Sequence, residues 1–534
     1  MTDLHLDFLS PLPPVRSGIS DYSVELLPHL RQRCDVRVVQ LPDQPLDPDI
    51  EARFAPVPFA RLGEGGRLPL YQMGNNRYHE GVREAALRLP GVLTLHDVVL
   101  HHLLLDQTIG HGQWEPYAAE LRRDHGWVGA AVAGGARWGL HGQAAQFALF
   151  ANRSLLRRQR GVVVHSDWAA GTLAEQDPEL RVRVVPMAIP LPPAADAAAG
   201  RAFRARHGLP AGPLLGSFGF QTPIKRTATA VRALARPELR DAHLLIVGEV
   251  APALELDREA AELGVAERVH VFGYLPFVEF TAAIAACDLC LNLRYPSAGE
   301  TSASLLRVLA MGRPCVVSDY AQFAELPDAI VARVPLGDRD GVGEVAAFAT
   351  IAAALLADPA RRAAMGESAR QHVRRENDPD HAAGRLLEVC AELATAAPLP
   401  ERDLTVPPSS SLVASQLAAR LEVSGAEAPW PAGERRRLRL RLRNTGAARL
   451  LSAAHRDGGV AIQVSLLDGR GRDLLAGRPW LPVTRDLDPG ASFDSELVVR
   501  RPPGGARLRV EPRVTGRDGL EVDWEGGAAW DSAL

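Results

Sequence analysis

The strongest constraint on this chain is a pattern that runs twice. Short apolar runs alternate with helical stretches over Leu4–Leu9, Asp35–Gln40, Leu70–Met73, Gly91–His96, Gly161–His165 and Val182–Pro186. The alternation restarts over Leu214–Phe218, His243–Gly248, Val269–Phe272, Leu289–Leu293 and Cys315–Ser318. Strand, crossover helix, strand is the signature of a mostly parallel sheet with helices on both faces. A Pro- and Ala-rich segment, Pro190–Gly200, separates the two series, and a helical stretch, Asp380–Ala397, closes the second. Beyond a Pro/Ser linker the period changes. Leu438, Leu440 and Leu442 alternate with Arg437, Arg439, Arg441 and Arg443, and Asp468-Gly469 marks a hairpin. The expected fold class is α/β: two Rossmann-like doubly wound domains followed by an all-β sandwich. The expected divisions are 1–195, 201–379, a closing helix at 380–397, a linker at 398–411 and the sandwich at 412–534.

Composition narrows the partners. The net charge is −4, from 60 basic and 64 acidic residues, so the basic surplus of a nucleic-acid binder is missing. Five cysteines over this length make no disulfide scaffold. Asp3 and Asp7 stand where a signal peptide wants positive charge. The longest apolar stretch, Val345–Ala357, falls short of the roughly 18–20 residues of a membrane span. A cytoplasmic protein without a transmembrane segment is expected, with peripheral membrane contact left open. Of the 60 basic residues only Lys225 is a lysine. Arg dominates everywhere else, so Lys225 stands out as a site candidate, with the chance survival of one lysine as the bland alternative.

Ligands of open α/β sheets bind beyond the C-terminal strand ends, so the loops there hold the candidates. Gly18 lies after the first strand, before a helix, where backbone can approach an anion. GNNRYH supplies Asn75, Asn76 and His79 as acceptor-side candidates, and an αL turn is the bland alternative for the two asparagines. His96 and Asp97 end a strand. His96 reads as a group that bonds a sugar hydroxyl or stabilises developing charge, and Asp97 as a helix cap. In GSFGFQTPIKR, Lys225 and Arg226 open a helix, where two cations oppose the helix dipole unless a phosphate sits there. In RYPSAGETSASLLR, Glu300 precedes Thr301 and Ser302 at a helix start that offers N–H groups and hydroxyls to a phosphate. Cys287-x-x-Cys290 lacks two further zinc ligands and reads as core thiols. GxGxxG and the P-loop are both missing, which argues against a dinucleotide dehydrogenase and a P-loop NTPase. The Asp-x-Asp triplets, Asp47/Asp49, Asp338/Asp340, Asp378/Asp380 and Asp486/Asp488, follow no buried strand, so no metal site is expected.

SGISDYS, the His96-Asp97 pair, the Lys225 loop, VHVFGYLPFVEF and PSAGETSASLLRVLAMGRPCVVSD together resemble glycosyltransferase family 4, the retaining nucleotide-sugar transferases of GT-B fold. GNNRYHEGV and AELPD are most similar to bacterial enzymes of surface polysaccharides, often mannosyltransferases. The resemblance implies catalytic roles for His96, Lys225 and Glu300. It implies donor contacts from Gly18, Lys225, Arg226, Tyr274, Glu300, Thr301 and Ser302. It also implies a sugar-nucleotide donor, GDP-mannose favoured, a glycan or lipid-linked glycan acceptor, and no cofactor or metal. Two positions depart from the family. Phe220 follows Gly219 where an Arg is usual, with Arg226 as the expected substitute. Arg307 stands where the second of two Glu, the one that holds the ribose, is expected. These departures support the alternative of a catalytically weak sugar-binding or scaffold protein. The last region is similar to β-sandwich modules appended to bacterial transferases.

Overall fold

The computed structural model describes residues 4–137, 143–192, 196–337, 342–400, 417–427, 429–446, 448–455, 458–475, 480–502, 506–515, 521–522 and 530–533. Most of the expected linker and the Asp338/Asp340 pair lie outside the described residues.

The first domain is a six-stranded parallel sheet in the order β2-β1-β3-β4-β5-β6. Its strands are β1 (His5–Leu9), β2 (Asp35–Val38), β3 (Leu68–Met73), β4 (Val92–Leu95), β5 (Gly161–Val164) and β6 (Val182–Val184). The second domain has β7 (Leu214–Phe218), β8 (His243–Val247), β9 (Val269–Phe272), β10 (Leu289–Asn292), β11 (Cys315–Ser318) and β12 (Val331–Val334), in the order β12-β11-β10-β7-β8-β9. The central strands are buried throughout, as expected where helices cover both faces of a parallel sheet. Each strand order reverses beside the first strand of its domain, which opens a crevice at the C-terminal strand ends. The apolar stretch Val345–Ala357 lies in the Val342–Ala357 helix, which packs on the second sheet. Cys287 and Cys290 are buried thiols.

The two domains touch directly. The Val99 N–H donates to the Ala298 carbonyl at 2.9 Å. Val98 fills the space a side chain would need at Gly299, 2.6 Å from that Cβ position, where φ is +84°. The closing helix, Pro379–Leu393, returns to the first domain. Asp378 caps it, and Asp380 binds His29 at 2.9 Å. Arg160 and Arg181 then hold the carbonyls of Ala394, Ala396 and Ala397.

The third region is antiparallel. β13 (Ala419–Ser424), β14 (Arg435–Asn444) and β17 (Ser492–Arg500) form one sheet. β15 (Val460–Leu467), β16 (Trp480–Pro482), β18 (Arg507–Thr515), β19 (Glu521–Val522) and β20 (Trp530–Ala533) form the other. Leu438, Leu440 and Leu442 point into the shared core while the intervening arginines face outward. Trp430 is buried in this core, with its Nε1 donating to the Glu434 carbonyl at 3.0 Å.

This region is seated on the first domain. The long helix Trp114–Ala136, inserted between β4 and β5, breaks at Gly126, where φ is 58° and ψ is −136°. There the backbone of His455 and Ala453 comes close against it. Leu104, Tyr117, Leu121, Val128 and Leu149 of the insert share one apolar cluster with Ala453 and Ala461, and Trp480 packs against it. Arg437 reaches the other way, to the carbonyls of Leu336 and Gly337 at 3.3 and 3.4 Å. The sandwich therefore spans both α/β domains.

Candidate active site

The crevice is built from loops at strand ends. After β7, Gly219 adopts φ +86°, a conformation only glycine takes without strain. Its missing side chain makes room for Lys225, whose Nζ lies 2.8 Å from the Cβ position, with Ser304 Oγ at 3.6 Å. Lys225 Nζ donates to the Phe218 carbonyl at 2.9 Å. Burial and the nearby Arg294 guanidinium hold this ammonium well below the usual lysine range, and Glu300 opposes them. Ser304 lies in the first turn of the Ala303–Ala310 helix. Ser302 caps that helix, its Oγ accepting from the Leu305 N–H, and Asn292 ties Ser302 at 3.0 Å. The helix starts two residues after Thr301, which sits in the preceding loop.

Arg226 departs from expectation. It takes an αL conformation, φ 52°, and turns its guanidinium to Glu344, with Nε 2.7 and 2.6 Å from the two carboxylate oxygens. Glu344 is buried and needs a countercharge, which fixes Arg226 there and withdraws it from the crevice. The second cation beside Lys225 is Arg294, two residues past the end of β10. Sequence reasoning missed it because it is one Arg among many. Its position just after a strand was the available signal. Arg294 is 5% exposed and pairs with Glu300 Oε1 at 2.9 Å. The other oxygen of Glu300 accepts from the Ala298 N–H at 2.9 Å and from Ser297 Oγ at 3.0 Å.

On the opposite wall His96 is 3% exposed and both ring nitrogens face protein groups. Nε2 bonds Gln72 Oε1 at 2.9 Å, and Nδ1 meets His165 Nε2 at 3.2 Å. His165 is anchored in turn on the Val185 carbonyl at 2.8 Å, and Tyr22 packs its edge against both rings. Burial lowers both histidines, His165 to about 4, so the pair is neutral at pH 7. The side chain given to the crevice is Asp97. It does not cap the next helix, which starts at His101 with no side-chain cap. Its Oδ2 accepts the Asn75 N–H at 2.9 Å. Burial and the facing Glu300 raise its carboxyl to about 7, against the pull of the Asn75 N–H and Arg294.

The acceptor-side candidates are turned inward. Asn75 bonds His102 Nδ1 at 2.9 Å and accepts the Leu103 N–H at 3.0 Å. Asn76 accepts from the Tyr78 N–H and contacts His79 Nδ1, both at 3.1 Å. His79 is fully buried beneath Gly74. These three side chains make their contacts within the loop and with the helix that follows β4. Gly18 opens the Gly18–Arg31 helix behind the Ser17 cap, with open space where a side chain would stand. Tyr274, 65% exposed, carries the Arg16 guanidinium of the first domain 5.2 Å from its ring centre. Arg307 crosses the cleft and pairs with Glu25 of the Gly18–Arg31 helix at 2.7 Å.

Residues 213–358, which hold β7 to β12 and the Lys225 and Glu300 loops, match the family described as glycosyl transferases group 1. That match spans the second sheet, and the chain has the GT-B fold. A 2-deoxystreptamine glucosyltransferase of Streptomyces kanamyceticus is 30% identical over 246 residues, 44% of this chain and 61% of that protein. The chain thus matches less than two thirds of that curated relative's length. Among solved structures, sucrose-phosphate synthase of Thermosynechococcus elongatus aligns with TM-score 0.52 and 17% identity over 74% of this chain and 100% of that one. Anabaena HepE, solved with UDP-glucose, aligns with TM-score 0.51 and 16% identity over 73% of this chain and 100% of that one. In this GT-B frame Lys225, Arg294 and Glu300 come from the second domain and Asp97 from the first.

Proposed function

We propose that the chain is a retaining glycosyltransferase that moves a hexose from a sugar nucleotide to a hydroxyl of a growing glycan. The observation that carries this reading is the Lys225 cradle. A desolvated lysine fills the space left by Gly219 beside Ser304 at a helix start, with Arg294 near it. An anion brought there restores the charged ammonium and meets free N–H groups of the Ala303–Ala310 helix. That arrangement stabilises a diphosphate whose charge grows as the bond to the sugar breaks. Glu300, held rigid by Arg294, Ser297 and the Ala298 N–H, is placed to orient the sugar.

The likeness of GNNRYHEGV, RYPSAGETSASLLR and AELPD to mannosyltransferases favours GDP-mannose, whereas the curated relative is named a glucosyltransferase. The test is calorimetric titration with UDP, UDP-glucose, GDP and GDP-mannose, followed by release of the sugar from each donor in excess EDTA. Binding and turnover of one donor, undiminished by EDTA, is the expected result. Binding without turnover identifies the scaffold alternative, and turnover only with added Mn²⁺ or Mg²⁺ removes the metal-free mechanism.

A further inference from the structure

We infer that Asp97, not His96, holds the incoming hydroxyl, its carboxylate accepting the O–H of the acceptor or of water. This rests on the proposed transferase reading and assigns one more residue of the same site. The geometry has three parts. His96 donates through Nε2 to Gln72, its Nδ1 faces His165, and the ring is all but inaccessible, so it presents no nitrogen to the cleft. Asp97 is only partly buried and receives one N–H, from Asn75, which fixes the carboxylate while leaving lone pairs toward the cleft. It lies on the first domain and faces Glu300 and Arg294 on the second, where Val98 and Val99 bring the two walls into contact.

The charge environment suits that task. The groups facing Asp97 are Glu300 and Arg294 from the loop after β10 and the Asn75 N–H from the loop after β3. Its neighbour His96 is turned away. Arg294 is already paired with Glu300 at 2.9 Å, which leaves the half-buried Asp97 carboxyl facing a like charge. Such a group takes up a proton near neutral pH, and gives it up to bind an O–H as acceptor. In the transfer step the incoming oxygen bonds C1 of the sugar and the bond from C1 to the diphosphate oxygen breaks. The hydroxyl proton passes to that leaving oxygen, and Asp97 is unchanged at the end.

The test uses the full chain and the donor that titration identifies, with water as the incoming group. Asp97→Asn and Asp97→Glu are compared with the parent in donor hydrolysis from pH 5.5 to 8.5, alongside affinity for the donor and for its free nucleoside diphosphate. The parent's kcat/KM is expected to rise through about pH 7. Asp97→Asn is expected to lose roughly 100-fold and to lose that rise, and Asp97→Glu to restore part of both. Both affinities, and their ratio, are expected to stay within twofold. Near-normal hydrolysis by Asp97→Asn, or a retained rise with pH, overturns the assignment. A collapse of the donor-to-diphosphate affinity ratio also overturns it, because Asp97 would then be holding the donor sugar. Failure of the parent to bind any nucleoside diphosphate instead removes the transferase reading itself.

Discussion

Replacing Gly126 by Ala tests whether the sandwich is truly seated on the first domain. An added Cβ would lie 2.3 Å from the His455 carbonyl oxygen, 2.5 Å from its carbon and 2.9 Å from the Ala453 oxygen. All three are backbone atoms, so no side chain can rotate away. The backbone conformation at Gly126, φ 58° and ψ −136°, is open only to glycine. Strain of that kind costs about 1–3 kcal/mol. Overpacking against fixed atoms costs a further ~1–3 kcal/mol. Their sum, about 2–6 kcal/mol, falls on the junction and not on either sheet. Gly134 is the control. It lies in the same helix, exposed, with no atom within 4 Å of its Cβ position. Gly134→Ala is expected to stabilise by about 1 kcal/mol through helix propensity alone. Hydrogen exchange read over 114–133 and 450–466, with thermal unfolding, separates the cases. Gly126→Ala should speed exchange in both segments, and Gly134→Ala should slow it in the first. Equal and unchanged exchange for the two variants would refute the seat. A chain ending at Pro400 would expose the same apolar cluster and is expected to self-associate.

Lys225→Ala is expected to lower sugar transfer roughly 100-fold or more with the fold intact, and Lys225→Arg to recover only part, because a planar fork does not fill the Gly219 space as an ammonium does. Steady-state kinetics with circular dichroism check this, and near-normal turnover of a folded Lys225→Ala would remove the cradle from the mechanism. Arg226→Ala leaves buried Glu344 without its partner and is expected to cost about 3–5 kcal/mol in chemical denaturation, while Arg226→Met with Glu344→Leu recovers most of it. An Arg226→Ala chain of full stability but lost donor affinity would place Arg226 back in the crevice. For pH, the folded chain holds His79 and His125 near 3 and His101 and His165 near 4, by burial, against about 6.5 when unfolded. Their contribution is present above pH 6.5 and is lost as pH falls toward 4. Asp97, raised to about 7, acts in the opposite sense and loses its contribution as pH rises from about 4 through 7. Four histidines outweigh Asp97 and the buried Asp124, itself raised to about 6, so the melting temperature should fall from pH 7 to pH 5. A flat or rising profile would mean these rings are not buried in neutral form.

The sheets were legible because strands buried on both faces read as unbroken apolar runs, and the loops after them are where ligands must lie. Gly219 and Lys225 could be singled out for that reason. The directions of side chains were not legible. Arg226 looked like a phosphate ligand until Glu344, 118 positions on, supplied a buried countercharge. His96 and Asp97 are adjacent, and sequence assigned the site to the first and the cap to the second. The reversal comes from Gln72 and His165 on neighbouring strand ends, which the sheet order brings to His96 from either side. Asn75, Asn76 and His79 drew notice as polar loop residues, but the two asparagines satisfy the Leu103 and Tyr78 N–H groups and His79 is buried against Asn76. The alternating leucines of β14 gave its inward face. Nothing local gave the seat on Gly126, since a glycine inside a helix has many uses.

The two departures from the family pattern offset one another across the cleft. Phe220 removes a cation from the β7 loop, and Arg294 restores one from the β10 loop, already oriented by Glu300. Arg307 reverses the sign of a position expected to be acidic, and its partner, Glu25, sits on the other domain. Burial raises the carboxyls of both Glu25 and Asp21, and Arg307 pulls them back. Arg307 therefore makes a contact between the two domains. Opening the cleft would part Arg307 from Glu25 and the Val99 N–H from Ala298 together, while Arg437 would leave the carbonyls at Leu336 and Gly337. Each of these links is polar and weak once solvated, but all three break in the same motion. The apolar seat at Gly126 lies wholly on the first-domain side and does not break. The sandwich is thus joined to the first domain by apolar packing and to the second through the polar reach of Arg437.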